Sequence, residues 1–278
     1  MYFYLSDKGN AYNEDFVYVT DDFGVLLDGA TGLFKEQLTN GNTDAQLFSH
    51  QLGRLLCENI GNLSMSLSEV ISFCLTQVHS YFLQEINDVE GVRLPSATLS
   101  CFRKNGSVIE VICLGDSPVL IKTKKELVVL QDEVLSANEG AAITELLKAW
   151  DELEDFELAK ESIKPLLKEF RNTKNTARGY KVLDLSQKGL IDFETKVYDL
   201  NEVESIHLVS DGFYRLVDTF HSFTEECFVE TVINYPKGLL LLDELRLLEN
   251  KEFSLRKYPR LKLSDDASVA FWNNTKRG

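Results

Sequence analysis

Short apolar runs bounded by turn-forming residues dominate the start of the chain. Tyr2 to Leu5, Phe16 to Val19 and Gly24 to Leu27 have the length and composition of strands, with Ser6-Asp7-Lys8-Gly9-Asn10 and Asp21-Asp22-Phe23 as turns. The tight turn between the second and third runs implies an antiparallel pair. After a polar loop through Asn40-Gly41-Asn42 the period changes. Leu47, Phe48, Leu52, Leu55 and Leu56, and then Val70, Ile71, Cys74, Leu75, Val78, Tyr81 and Phe82, recur at helical spacing. Two helices in succession predict a helical layer.

A second block returns to strand character as a meander: Ala97 to Phe102, Val108 to Leu114, Pro118 to Ile121 and Leu127 to Leu130, with Lys104-Asn105-Gly106 as a hairpin turn. Ile143, Leu146, Leu147, Trp150 and Leu153 mark a helix from Ala141 to about Lys160, Pro165 opens another, and Arg171 to Gly179 reads as a polar loop. Tyr180 to Leu183 and Ser205 to Val209 resume the strands. Ser222-Phe223-Thr224-Glu225 has the form of a capping box for a helix through Cys227, Phe228 and Val232, Gly238 to Leu248 is helical, and Ser268 to Trp272 is a final strand. Antiparallel strands mixed with paired helices imply an α+β sandwich, sheet on sheet with helices outside. No repeat, linker or composition break divides residues 1–278, which read as one domain.

Four of these apolar runs are butted against acids. Val25-Leu26-Leu27 enters Asp28-Gly29; Glu14-Asp15 precedes Phe16; Ile206 to Val209 leads into Ser210-Asp211-Gly212; and Asp265-Asp266 precedes Ala267. Gly115-Asp116-Ser117 is a further acid at a strand end. Each alone is also what a surface turn carries. Brought together, two such charges about 4 Å apart repel by roughly 4 kcal/mol at an effective dielectric near 20. Cations would remove that cost. Motifs with neither histidine nor cysteine favour a hard ion, Mg²⁺ or Mn²⁺, over zinc, and glycine after Asp28 and Asp211 admits backbone close to an ion.

Composition narrows the partners. The net charge of −15 opposes a sequence-independent grip on nucleic acid. No apolar run approaches the roughly 20 residues needed to span a bilayer, and the N-terminus lacks the pattern of a secretory signal, so a soluble, cytoplasmic protein without a membrane partner is expected. Five cysteines without CxxC spacing are expected to be buried, reduced thiols. His207, inside a strand, is expected in the core; His50, His79 and His221 have no assigned role.

The ordered motifs Ser6-Asp7-Lys8-Gly9, Asn13-Glu14-Asp15, Asp28-Gly29, Ser96-Ala97-Thr98-Leu99, Gly115-Asp116-Ser117, Ser210-Asp211-Gly212 and Asp265-Asp266-Ala267-Ser268 together resemble a PP2C-type (PPM) metal-dependent protein serine/threonine phosphatase of the bacterial kind. The resemblance implies a four-layer αββα sandwich with a two-metal centre of Mn²⁺ or Mg²⁺ between the sheets. It also implies a helical flap-like insertion around residues 140–179. Asp28 would bridge both ions, Glu14 and the Gly29 carbonyl would complete one, and Asp211 and Asp265 would hold the other. Asp266 stands where the family usually has Asn. Lys8 stands where Arg often grips substrate phosphate and offers no bidentate fork. Ala30 replaces a histidine that some members carry. Asp116 matches a position used by a third metal, but Tyr214 and Arg215 stand where a further acid is often found. The implied activity is hydrolysis of phosphoserine and phosphothreonine in proteins by a water activated by two metals, opposing a serine/threonine kinase. Two alternatives remain: a weakly active or non-catalytic regulatory binding protein, and a phosphohydrolase of a small phosphorylated metabolite.

Overall fold

A computed structural model describes residues 1–30, 38–39, 42–82, 94–186, 193–250 and 254–274. Thr31, Gly32, part of the polar loop before the first helix and the basic C-terminal tail lie outside them. The first three strands are β1 (Tyr2–Asp7), β2 (Asp15–Val19) and β3 (Phe23–Ala30), followed by helices α1 (Asp44–Asn59) and α2 (Leu67–Phe82). Thr43 caps α1 by accepting a hydrogen bond from the Gln46 amide. Next come β4 (Ser96–Ala97), β5 (Leu99–Asn105), β6 (Val108–Leu114), β7 (Val119–Thr123) and β8 (Leu127–Leu130). The segment α3 (Glu133–Leu153), α4 (Phe156–Ser162) and α5 (Lys164–Asn172) leads to β9 (Leu183–Asp184), β10 (Lys196–Asp199) and β11 (Val203–Val209). The chain closes with α6 (Asp211–Asp218), α7 (Glu225–Thr231), α8 (Tyr235–Glu249), α9 (Ser254–Lys257) and β12 (Ala267–Asn273).

The strands form two antiparallel sheets. One has the order β1-β12-β11-β7-β8; the other runs β10-β6-β5-β3-β4-β9, with β2 also paired to β3. Alternation along β3 explains the layering. Leu26 points into the seam between the sheets, where it meets Phe102, Val111, Ile206, Leu208 and Trp272, while Val25 and Leu27 point outward onto Phe48 and Leu52 of α1 and the stripe of α2. On the opposite flank Phe213 and Leu216 of α6, Phe228 of α7 and Leu245 of α8 cover Leu120, Val209 and Val269. The result is the helix–sheet–sheet–helix arrangement expected.

Several local expectations are corrected. The predicted meander is divided: β5 and β6 belong to one sheet and β7 and β8 to the other, so Gly115-Asp116-Ser117 is the crossing between sheets. Thr98 interrupts the first of those strands. The long helix expected from Ala141 starts at Glu133 and ends at Leu153, capped by Glu154, whose φ of 55° is left-handed. Strand structure near Tyr180 is confined to Leu183–Asp184. The capping residue of α7 is Thr224, which accepts from the Cys227 amide, and not Ser222. Helix α6 and strand β10 are additions to the sequence reading. Cys74 and Cys101 are buried as expected, but Cys227 is exposed. His207 is fully buried, with Nε2 2.9 Å from the Val232 carbonyl. Among the described residues no helix is long and apolar enough to cross a membrane.

Candidate metal centre

The β2–β3 hairpin register sets Asp15 directly opposite Asp28. Both carboxyls are held well above the ordinary carboxylate range. For Asp15 the main cause is burial, opposed by a Ser268 hydrogen bond and reinforced by Asp266, Asp211 and Asp265; for Asp28 it is burial, then Asp211 and Asp15. One carboxylate oxygen of Asp15 is buried without a hydrogen-bond partner.

Asp211 arrives from the other sheet. It is the first residue of α6, immediately after β11, and its charge complements the positive end of that helix. Asp211 is close enough to Asp28 to help raise its carboxyl, so two acids from different sheets meet at the end of the sandwich. Asp116, at the crossing between the sheets, joins them; burial raises its carboxyl, followed by Asp211 and Glu139.

Two glycines let these segments close. A Cβ on Gly29 would sit 2.8 Å from the Glu14 carbonyl oxygen and 3.0 Å from that of Ala45, and one on Gly212 would sit 2.0 Å from the Asp266 carbonyl oxygen. Glu14 is buried. Its carbonyl accepts from the Gly29 amide and from Ser49 Oγ at 2.6 Å, while its carboxylate acts on Arg171 of α5.

The acidic pair before β12 divides its work. Asp266 takes the Gly9 amide at 2.8 Å on one oxygen and the Glu14 amide at 2.7 Å on the other, tying together the ends of β1, β2 and β12. Asp265 faces cations: Oδ2 accepts from Arg215 at 2.9 Å and Oδ1 from Lys262 at 2.9 Å. Burial pushes Asp265 up, but Lys262 and Arg215 outweigh it and leave the carboxyl below its usual range. Arg215 also pairs with the fully buried Glu249 at 3.1 Å.

Two cavities border this cluster. One, of about 410 Å³, is lined by Asp116, Glu139, Asp211, Arg215 and Asp218 among others; a second, of about 330 Å³, shares the first four and adds Lys160, Arg171, Tyr180, Lys262 and Asp265. Helices α3 and α5 thus form a wall of the site. Lys8 is exposed just after β1 and lines neither cavity. Glu139 is lifted to about 7, chiefly by burial and then by Asp211.

Asp28, Asp211, Asp265 and Asp116 therefore converge. The residues beyond the sequence reading are Asp15 as a buried member of the cluster, Glu139, Lys262 and Arg171, and Arg215 as an ion-pair partner. Only Asp15 had a signal, since the hairpin register places it opposite Asp28. Among the described residues no three His, Cys, Asp or Glu side chains stand as a ready ion cage. The donor set fits a hard divalent ion nonetheless. The orphaned buried oxygen of Asp15, beside the all-carboxylate meeting of Asp28 and Asp211, is the chemistry of a cation site.

No protein-family model and no curated protein matches the chain. Solved structures do. The catalytic domain of the serine/threonine protein phosphatase PstP, in complex with two manganese ions, is 18% identical over 98% of this chain and 96% of its own, with a TM-score of 0.58. PstP/Ppp of Mycobacterium tuberculosis is 17% identical over 98% and 97%, with a TM-score of 0.56. Stp1 of Staphylococcus aureus is 13% identical over 98% and 94%, with a TM-score of 0.58. At these identities the likeness is one of fold: the chain has the two-sheet sandwich of PPM phosphatases along nearly its whole length.

Proposed function

We propose that this chain is a divalent-metal-dependent phosphatase that hydrolyses phosphoserine and phosphothreonine in proteins, opposing a serine/threonine kinase in the cytoplasm. The observation that carries the reading is the meeting of Asp28 and Asp211 at the end of the sandwich, in a fold shared with protein phosphatases. In this reading Asp28 would be a ligand common to two Mn²⁺ or Mg²⁺ ions, Glu14 and the Gly29 carbonyl would help hold one, and Asp211 and Asp265 would help hold the other. Such ions, when bound, lower the pKa of water and neutralise charge on a transferring phosphoryl group.

The chain's own residues do the rest. Asp15 and Asp116, buried beside Asp28 and Asp211, add further carboxyl groups to the cluster around the ions. Asp266 fixes the ends of β1 and β2 through the Gly9 and Glu14 amides, which keeps Glu14 in register with Gly29. Arg171, which lines the smaller cavity, and Lys8, exposed after β1, are the cations offered to substrate phosphate, and helices α3 to α5 act as the flap that limits water in that cavity. The side-by-side test is release of phosphate from a phosphothreonine peptide and from small phosphate esters, each with Mn²⁺, Mg²⁺ or chelator. Metal-dependent turnover favouring the peptide supports the proposal; turnover confined to small esters would move the substrate to a metabolite.

The pairing of Asp265 with Arg215 and Lys262 favours a second reading, a weakly active regulatory protein that keeps one ion. It is separated from the first by phosphate release that stays at background while Mn²⁺ still binds.

A further inference from the structure

The acidic centre is asymmetric. Asp28 meets Asp211, and the hairpin sets Asp15 directly opposite it, so a divalent ion there relieves repulsion among acids. On the Asp265 limb the chain has already supplied positive charge. Both oxygens of Asp265 are engaged, Oδ1 by Lys262 Nζ at 2.9 Å and by the Asp266 amide at 3.1 Å, Oδ2 by Arg215 at 2.9 Å.

The two cations are not equivalent. The Arg215 side chain is 7% exposed and bridges Asp265 to Glu249, which is fully buried and bonded in turn to Arg246 at 2.7 Å. It is a fixed part of the core. The Lys262 side chain is 49% exposed, lies on the irregular segment between α9 and β12, and lines the 330 Å³ cavity with Asp211, Arg171 and Lys160. A single-point ammonium on a flexible stem, with open space beside it, can leave its partner at small cost.

We propose that Lys262 is an internal counter-ion of the metal centre, and that a second divalent ion loads on Asp265 only by displacing it. The centre then takes one ion tightly and a second weakly, with Lys262 setting the gap. Lys262 lines the same cavity as Asp211, so its ammonium also opposes ion binding there. This inference rests on the metal-dependent reading above and concerns the order and strength of loading, not the reaction.

The test is a calorimetric titration of the full chain with MnCl₂, with bound Mn²⁺ counted by electron paramagnetic resonance, for the wild type, Lys262→Met and Lys262→Arg. Thermal unfolding in chelator checks that the variants fold. The wild type should show one tight and one weaker class. Lys262→Met should tighten the weaker class by roughly tenfold, about 1.4 kcal/mol, and change the tight class less. Lys262→Arg, which keeps the charge, should leave it weak. Two equally tight ions in the wild type, or a weak class unmoved by Lys262→Met, overturns the inference. No Mn²⁺ binding at all overturns both this and the metal-dependent function. The expected shift without any phosphatase turnover would sink the proposed function alone.

Discussion

Asp15 and Asp28 face each other across the β2–β3 hairpin, and both carboxyls are raised, each by burial first. A carboxyl whose folded value is raised does no harm while protonated. It destabilises the fold progressively as pH climbs above the ordinary value of 3.8. In chelator, Asp28→Asn should therefore be more stable than the wild type at about pH 8, by about 1–3 kcal/mol, and the difference should shrink towards about pH 5. Added Mn²⁺ should raise the melting temperature of the wild type and not that of the variant. Urea unfolding and thermal scans across pH check both.

Glu139 gives a second, separable pH dependence. Its carboxyl is lifted from 4.5 to about 7, so the folded state binds the extra proton between those values and stability falls as pH rises through them. Glu139→Gln should flatten the stability–pH curve in that window by on the order of 1–3 kcal/mol. An unchanged slope would show that Glu139 is solvated and apart from Asp211.

Gly212 carries the joint between α6 and the segment before β12. A Cβ there would lie 2.0 Å from the Asp266 carbonyl oxygen and 3.1 Å from the Asp265 Cβ, so one segment must move. Gly212→Ala should separate Asp211 from Asp265, cost about 1–3 kcal/mol of stability and weaken Mn²⁺ binding. Calorimetry of Mn²⁺ binding beside Leu26→Ala is the control. Leu26 is fully buried in the seam between the sheets, and its truncation should cost about 2–5 kcal/mol without a selective effect on metal.

The layers and the acids were legible in the sequence because both are written in local pattern. The continuous apolar run of β3 marks a strand buried on both faces, the helical stripes of α1 and α2 mark which of their faces are buried, and each acid sits beside an apolar run. What escaped was what depends on the third dimension. The strands β5 to β8 look like one meander, and only packing shows that Asp116 is where the chain changes sheet. Helix α6 was hidden because it is only eight residues long and begins directly after β11 in Ser210-Asp211-Gly212, a sequence that also reads as a turn, so Asp211 read as a strand end and not as a helix start. Capping at Thr224 competed with an equally good motif at Ser222 two residues earlier. Lys262 and Arg215 lie three and 50 residues from Asp265 in an otherwise unremarkable charge pattern, and nothing local announces that they pair with it.

The most direct measurement is phosphate release from a phosphothreonine peptide by the wild type and by Asp28→Asn, each with Mn²⁺ and with chelator. The expected result is turnover in the wild type with Mn²⁺ only, reduced at least ~100-fold in the variant, while circular dichroism shows the same fold. Turnover that survives chelator, or an Asp28→Asn protein as active as the wild type, would contradict the assignment of this acidic centre as the seat of the chemistry.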